Sequence, residues 1–162
     1  MNRFALSATG LVAASASAAP IEINVILDQW AGEAGIEVYN SSSSLVGSMF
    51  VSSGYIIASG ALTLAAFSAN SDFPGATAYN MVLGGDLAAG TYTIVLTDTY
   101  GDGWNWNGVT GGVTGYGGAA SGSSIFFSSG DGASISGTFT VVPAPAGLAL
   151  LGLAGLSRRR RG

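Results

Sequence analysis

Apolar and polar side chains alternate along several short stretches of the chain, which is the period of a β-strand. Residues 21–27 place isoleucine, valine or leucine at every odd position. Residues 90–98 predict the clearest strand, with Tyr92, Ile94 and Leu96 on one face. Further short apolar runs occupy residues 36–38, 45–46, 49–51, 55–58, 62–67, 79–83, 125–127 and 135–142.

The segments between these runs are rich in Gly, Ser and Asn, and none has the periodicity of an amphipathic helix. Residues 40–44 separate two apolar runs and predict the turn of a hairpin. Residues 111–124 are rich in Gly, Ser and Ala and lack apolar periodicity, so we expect a long loop there. About eight to ten short strands favour an all-β fold, a single antiparallel β-sandwich or jelly roll over residues 19–142.

The first 18 residues have the layout of a secretory signal peptide. Arg3 precedes an apolar run, and Ala16, Ser17 and Ala18 then supply a small-x-small pattern. The run is too short to cross a bilayer. We therefore expect a signal helix that is cleaved after Ala18, and the alternative is a buried N-terminal helix.

Residues 143–162 form a second segment of distinct composition. Pro143 and Pro145 break the preceding strand, and a stretch of Gly, Ala and Leu follows them. The segment closes with four arginines, which are Arg158, Arg159, Arg160 and Arg161. This order predicts an apolar helix at the lower limit of membrane-spanning length, with the arginines on the cytoplasmic side. The alternative is a plain C-terminal tail anchor.

The proline pair, apolar helix and arginine cluster together resemble the PEP-CTERM sorting signal of exported bacterial proteins. The chain has Ala144 where the name-giving motif has Glu. The resemblance implies recognition by an exosortase in bacteria that make exopolysaccharide. It also implies an exported protein that is held in the membrane before processing and then lies at the cell surface or in the extracellular matrix.

Composition removes most catalytic chemistry. The chain has no Cys and no His, and charged residues make up only 9% of it, against about a quarter in typical soluble domains. Disulfides, thiolate metal sites, cysteine nucleophiles and imidazole bases are therefore excluded, together with most zinc and copper sites.

The charges are segregated along the chain. The five cations are Arg3 and the four terminal arginines, whereas the nine acids all lie between Glu22 and Asp131. Carboxylates without a nearby cation must face water, accept backbone N–H bonds or bind a metal ion. Nucleic-acid binding is excluded for the middle of the chain, since phosphate contact depends on Lys and Arg.

One local cluster could carry chemistry, the segment 98–108, which we call the acidic loop. It reads Asp-Thr-Tyr-Gly-Asp-Gly-Trp-Asn-Trp-Asn-Gly, and two glycines flank its second acid. Such a loop can turn several oxygens inward, and ligands that are all oxygen suit Ca²⁺. The predicted metal ligands in it are Asp98, Asp102 and Asn105. The alternative is a loop in which Asp and Asn bond their own backbone.

The acidic loop also resembles the D-x-Y-G-D-G-W-N motif of β-sandwich accessory modules in secreted bacterial proteins. In that family an earlier acidic motif precedes the loop, and residues 28–37 are similar to it. Asp28 and Glu33 match the Asp and Glu of the earlier motif and are the two further predicted metal ligands, whereas Ala31, Ala34 and Ile36 depart from it. The resemblance implies a non-catalytic domain in which Asp28 and Glu33 approach the acidic loop.

Trp104 and Trp106 are two residues apart and would share a face on an extended segment. With Trp30 and Tyr100 they could form a platform on which the apolar C–H faces of sugars stack. The alternative is that these rings cover the core beneath the loop.

The function we expect is that of a non-enzymatic, surface-sorted β-sandwich protein of the cell envelope or exopolysaccharide matrix, stabilised by Ca²⁺. The first alternative is a carbohydrate-binding module that uses Trp104 and Trp106. The second is a glycosidase, the one enzyme class left by the composition, with acid and base on two carboxylates.

Overall fold

The structure, a computed structural model, describes residues 17–70, 77–128 and 130–142. These ranges contain eleven β-strands. They are β1 (Ala19–Leu27), β2 (Ala34–Asn40), β3 (Leu45–Ser52), β4 (Tyr55–Gly60), β5 (Leu62–Ala69), β6 (Tyr79–Leu87), β7 (Gly90–Asp98), β8 (Gly112–Gly118), β9 (Ala120–Gly122), β10 (Ile125–Phe126) and β11 (Ser134–Val141). A short 3-10 helix, Ala31–Glu33, joins β1 to β2. The all-β prediction is confirmed.

The strands form two antiparallel sheets. The first has the order β10-β8-β1-β6-β5, and the second has the order β4-β3-β2-β7-β11-β9. The predicted hairpin is β2–β3, closed by a turn in which Asn40 Oδ1 accepts from the backbone N–H groups of Ser42 and Ser44. The predicted strand 90–98 is β7, which lies between β2 and β11.

Alternation along the central strands builds the core between the two sheets. In β1 the odd positions from Ile21 to Leu27 are buried, and in β7 Ile94 and Leu96 are buried completely. Burying one such aliphatic side chain stabilises a fold by about 1.5–3 kcal/mol. Because β1 and β7 are central strands of opposite sheets, the residues that follow their ends are held on a rigid base.

The expectation of a long loop over residues 111–124 is wrong. This segment contains β8, which pairs with β1 and β10, and β9, which pairs with β11. Gly112 and Gly118 stand where neighbouring strands approach closely, and a Cβ atom at Gly112 would overlap the carbonyl oxygen of Ile125. Glycine at such positions removes the alternating apolar pattern by which a strand is recognised.

Several predictions about the ends fall outside the structure. Residues 1–16 of the predicted signal peptide and the whole predicted sorting signal, residues 143–162, are not among those that it describes. Within the described ranges, no helix has the length and apolar character needed to span a membrane.

Candidate functional site

The acidic loop is coiled around the carboxylate of Asp98, the last residue of β7. Asp98 is buried, and its Oδ1 accepts from the backbone N–H of Tyr100 at 3.0 Å. Its Oδ2 accepts from the N–H of Asp102 at 2.9 Å and from the N–H of Gly103. Both glycines that flank Asp102 have positive φ, as predicted, with 91° at Gly101 and 82° at Gly103. Asp98 therefore makes the Asx-type hydrogen bonds that the sequence left as an alternative.

Glu33 reaches the same place from the other side. It ends the 3-10 helix, where its N–H donates to Trp30 O at 2.9 Å, and its own carbonyl accepts from Thr99 N at 3.0 Å. Carboxylate oxygens of Glu33, Asp98 and Asp102 all lie within 4.8 Å of one another. We call these three residues the acidic cluster. The approach of Glu33 to the acidic loop is confirmed.

No residue of the described ranges brings a positive charge to the acidic cluster, because the sequence has no cation between residues 4 and 157. Burial raises the pKa of Glu33 above its usual range, and the charges of Asp98, Asp102 and Asp28 raise it further. Like charges this close disfavour ionisation, and a bound cation would favour it. A cation bound at the acidic cluster therefore gains more electrostatic free energy than it would beside an isolated surface acid.

Asp28 lies beside the acidic cluster and fixes the chain that leads to it. The side chain is buried, and its Oδ1 accepts from the backbone N–H of Trp30 at 2.9 Å. Burial raises the pKa of Asp28; the bond from Trp30 lowers it, and the charges of Asp98 and Asp102 raise it again. Asp28 was predicted as a metal ligand, and its carboxylate is not one of the three that converge within 4.8 Å.

Asn105 holds the acidic loop against the core. Its Nδ2 donates to the carbonyl oxygen of Phe127 at 2.9 Å. Its Oδ1 is buried and accepts no hydrogen bond from any residue of the described ranges. A buried polar atom without a partner costs about 1–3 kcal/mol. No contact among the described residues places this predicted ligand beside Glu33, Asp98 and Asp102, and it is the oxygen-only donor set of those three residues that fits Ca²⁺.

The two tryptophans of the acidic loop do not share an exposed face, because no strand forms between β7 and β8. Trp104 is 2% exposed, packs on Phe127 with ring centroids 5.1 Å apart, and donates its indole N–H to Thr97 O. Trp106 is 48% exposed. Trp104 therefore covers the core, and the two rings do not make the predicted joint platform.

Three aromatic side chains lie next to the acidic cluster and line a cavity that we call the aromatic hollow. Trp30, Tyr100 and Trp106 line it together with Glu33 and Asp102, and it encloses about 320 Å³. The rings of Trp30 and Trp106 meet edge to face, with centroids 6.4 Å apart and planes at 77°. The two rings are therefore crossed walls of an open cavity and do not form one flat surface for stacking.

The residue that sequence reasoning missed is Gln29. With its amide oxygen turned toward the indoles, Gln29 accepts from Trp106 Nε1 at 2.8 Å and from Trp30 Nε1 at 3.2 Å. One amide thus fixes both rings. Nothing in the local sequence pattern distinguishes this Gln from an ordinary turn residue, because its partner Trp106 is distant along the chain.

Comparison with protein-family models, with curated proteins and with solved structures gives no match for this chain. Its function is inferred from the geometry and chemistry of the site.

Proposed function

We propose that the chain is a non-enzymatic, secreted β-sandwich protein of the cell envelope or exopolysaccharide matrix, and that it binds Ca²⁺ at the acidic cluster. The observation that carries the metal proposal is the convergence of carboxylate oxygens from Glu33, Asp98 and Asp102 within 4.8 Å, in a region without cations.

The choice of Ca²⁺ rests on the donor types. Glu, Asp and Asn offer hard oxygen ligands, and the chain has no His or Cys to favour zinc or copper. Ca²⁺ accepts six to eight oxygens in flexible geometry, whereas Mg²⁺ requires a near-ideal octahedron. Because the acidic cluster is built partly on a loop, it suits the flexible coordination of Ca²⁺ better than the strict octahedron of Mg²⁺.

The direct test is calorimetric titration of the protein with Ca²⁺ at constant ionic strength. We expect one site per chain and a dissociation constant of about 10⁻⁴–10⁻³ M, as in extracellular modules. Glu33→Gln and Asp102→Asn should each weaken binding strongly. Asp86→Asn is the matched control, because Asp86 is an exposed acid paired with Pro20 at the far end of β1. Equal weakening by all three changes would show general charge attraction and contradict a specific site.

The sorting part of the proposal rests on the resemblance of the terminal segments and is tested separately. Cell fractionation should find the parent chain exported and its membrane-held form processed. A chain with Pro143→Ala and with Ser at Arg158, Arg159, Arg160 and Arg161 should escape processing by the exosortase. Identical processing and location of the two chains would refute it.

The raised pKa of Glu33 favours a second candidate, the paired-carboxylate glycosidase, because a general acid needs such a shift. Release of reducing sugar from bacterial exopolysaccharide is the discriminating assay. A glycosidase would lose this activity in Glu33→Gln, whereas the proposed binding protein releases none in either form.

A further inference from the structure

The aromatic hollow has an unusual balance of hydrogen-bonding groups. With the amide oxygen of Gln29 turned toward them, its two indole N–H groups both donate to Gln29. The side-chain oxygens that remain on its walls are the acceptors of Glu33 and Asp102, together with the hydroxyl of Tyr100. The hydroxyl can donate or accept, whereas the two carboxylates can only accept when ionised, so a ligand that satisfies them must bring donors.

The walls also present π-faces to solvent. Trp30 is 52% exposed, Tyr100 78% and Trp106 48%, although large aromatic side chains normally lose most of their surface on folding. An exposed aromatic face attracts a cation through the ring quadrupole, and tryptophan does so best. The crossed indole rings are held in place before any ligand arrives, which lowers the entropic cost of binding.

We infer that the aromatic hollow is a binding site for the cationic side chain of a basic partner protein, that of lysine or arginine. The apolar stem of such a side chain packs on the rings, and its charged head donates to the carboxylates of Glu33 and Asp102. The nine acids of the chain and the absence of cations between residues 4 and 157 provide the matching charge. A sugar fits less well, since it carries no positive charge for the two carboxylates and the ring faces to attract.

This inference goes beyond the proposed function and does not depend on it. Ca²⁺ would use some of the same carboxylate oxygens, so the test is made in the presence of a chelator. If the chain then fails to bind Ca²⁺, the inference about the lysine or arginine side chain is unaffected. If the aromatic hollow fails to bind that side chain, the Ca²⁺ proposal is unaffected.

The experiment follows the indole N–H signals of the full-length chain by NMR, which are three in number because the chain has three tryptophans. The probes are Nα-acetyl-lysine amide and Nα-acetyl-arginine amide. The controls are Nα-acetyl-norleucine amide, which has the stem without the charge, and glucosamine. We expect the signals of Trp30 and Trp106 to shift with the cationic probes, while that of the buried Trp104 stays in place.

Variants separate the contributions of the walls. Trp106→Ala should lower the affinity by about 2- to 30-fold, the range expected for a cation–π contact. Glu33→Gln and Asp102→Asn should each lower it by up to about fivefold, and raising the salt concentration should weaken binding further. Tyr55→Ala, at a side chain that is 74% exposed outside the hollow, is the aromatic control and should change nothing.

Four results would overturn the inference. One is the absence of any shift with the cationic probes. Another is equal binding of the norleucine probe, which would mark a simple apolar hollow. A third is tighter binding of glucosamine, which would mark an amino-sugar site. The last is an equal loss of affinity in Tyr55→Ala, which would mark diffuse association with the surface.

Discussion

Asp98 and Asp102 both belong to the acidic cluster, but they should respond differently to neutralisation. Asp98 accepts three backbone N–H groups of the acidic loop, whereas Asp102 is exposed and contributes its charge. In Asp98→Asn an amide group must face at least one of those N–H donors. In Asp102→Asn a like charge disappears from a site with no cation, so the metal-free fold is relieved of repulsion.

The expected magnitudes follow from these contacts. A hydrogen bond to a charged group contributes about 1.5–3 kcal/mol, so Asp98→Asn should lose about that much free energy of unfolding. For a domain of this size about 1 kcal/mol corresponds to roughly 4 °C, which gives a melting temperature lower by about 6–12 °C. Asp102→Asn should melt at the same temperature as the parent or above it.

Thermal unfolding followed by circular dichroism, with chelator and at constant ionic strength, makes the comparison. The reasoning is refuted if Asp98→Asn melts with the parent in chelator, or if Asp102→Asn is the less stable of the two variants. In the first case the hydrogen bonds to Asp98 contribute little. In the second case repulsion within the acidic cluster is not a significant cost.

Two further predictions concern pH and the tryptophans. Because the folded state raises the pKa of Glu33 and Asp28, it binds these protons more tightly than the unfolded chain. The stability that these two groups contribute to the metal-free protein should be fully present below their ordinary pKa values of about 4 and be lost as pH rises through the raised ones. Urea unfolding of the parent and of Glu33→Gln between about pH 3.5 and 7 checks this, because the difference between them isolates Glu33, and a difference that does not change with pH would contradict it. Trp104→Ala should lower the free energy of unfolding by about 3–5 kcal/mol because the ring is buried, and Trp106→Ala should lower it by less than about 1 kcal/mol. Equal losses in denaturant unfolding would contradict the assignment of Trp104 to the core.

Much of the fold could be predicted from the sequence, because strands with one buried face show the alternation directly. The strand 90–98 was predicted with the bounds of β7, and the turn at residues 40–44 with its hairpin. Strands β8 and β9 were missed, since the many glycines of residues 112–122 carry no hydrophobic signal, and Gly112 and Gly118 fit close backbone approaches.

The site was predictable in its chemistry and less so in its geometry. The nearness of Glu33 to the acidic loop followed from a motif resemblance, and the missing cations indicated that its acids would be uncompensated. The spacing of Trp104 and Trp106 was misleading, because period-two reasoning applies to strands and this segment is a loop. The role of Gln29 depends on a long-range hydrogen bond, which local pattern does not contain.

The central claim is that the acidic cluster is a specific Ca²⁺ site, and the melting temperature of the parent and of Asp102→Asn with Ca²⁺ or Mg²⁺ tests it most directly. At about 5 mM Ca²⁺ and a dissociation constant of about 10⁻⁴–10⁻³ M, the linkage relation gives about 1–2 kcal/mol of stabilisation. The parent should therefore melt about 4–8 °C higher with Ca²⁺ than with chelator at equal ionic strength, and Mg²⁺ should do less. Asp102→Asn should lose most of this rise. Equal stabilisation by both ions, together with an unchanged response of Asp102→Asn, would contradict the claim and leave the acidic loop as a turn held by its own hydrogen bonds.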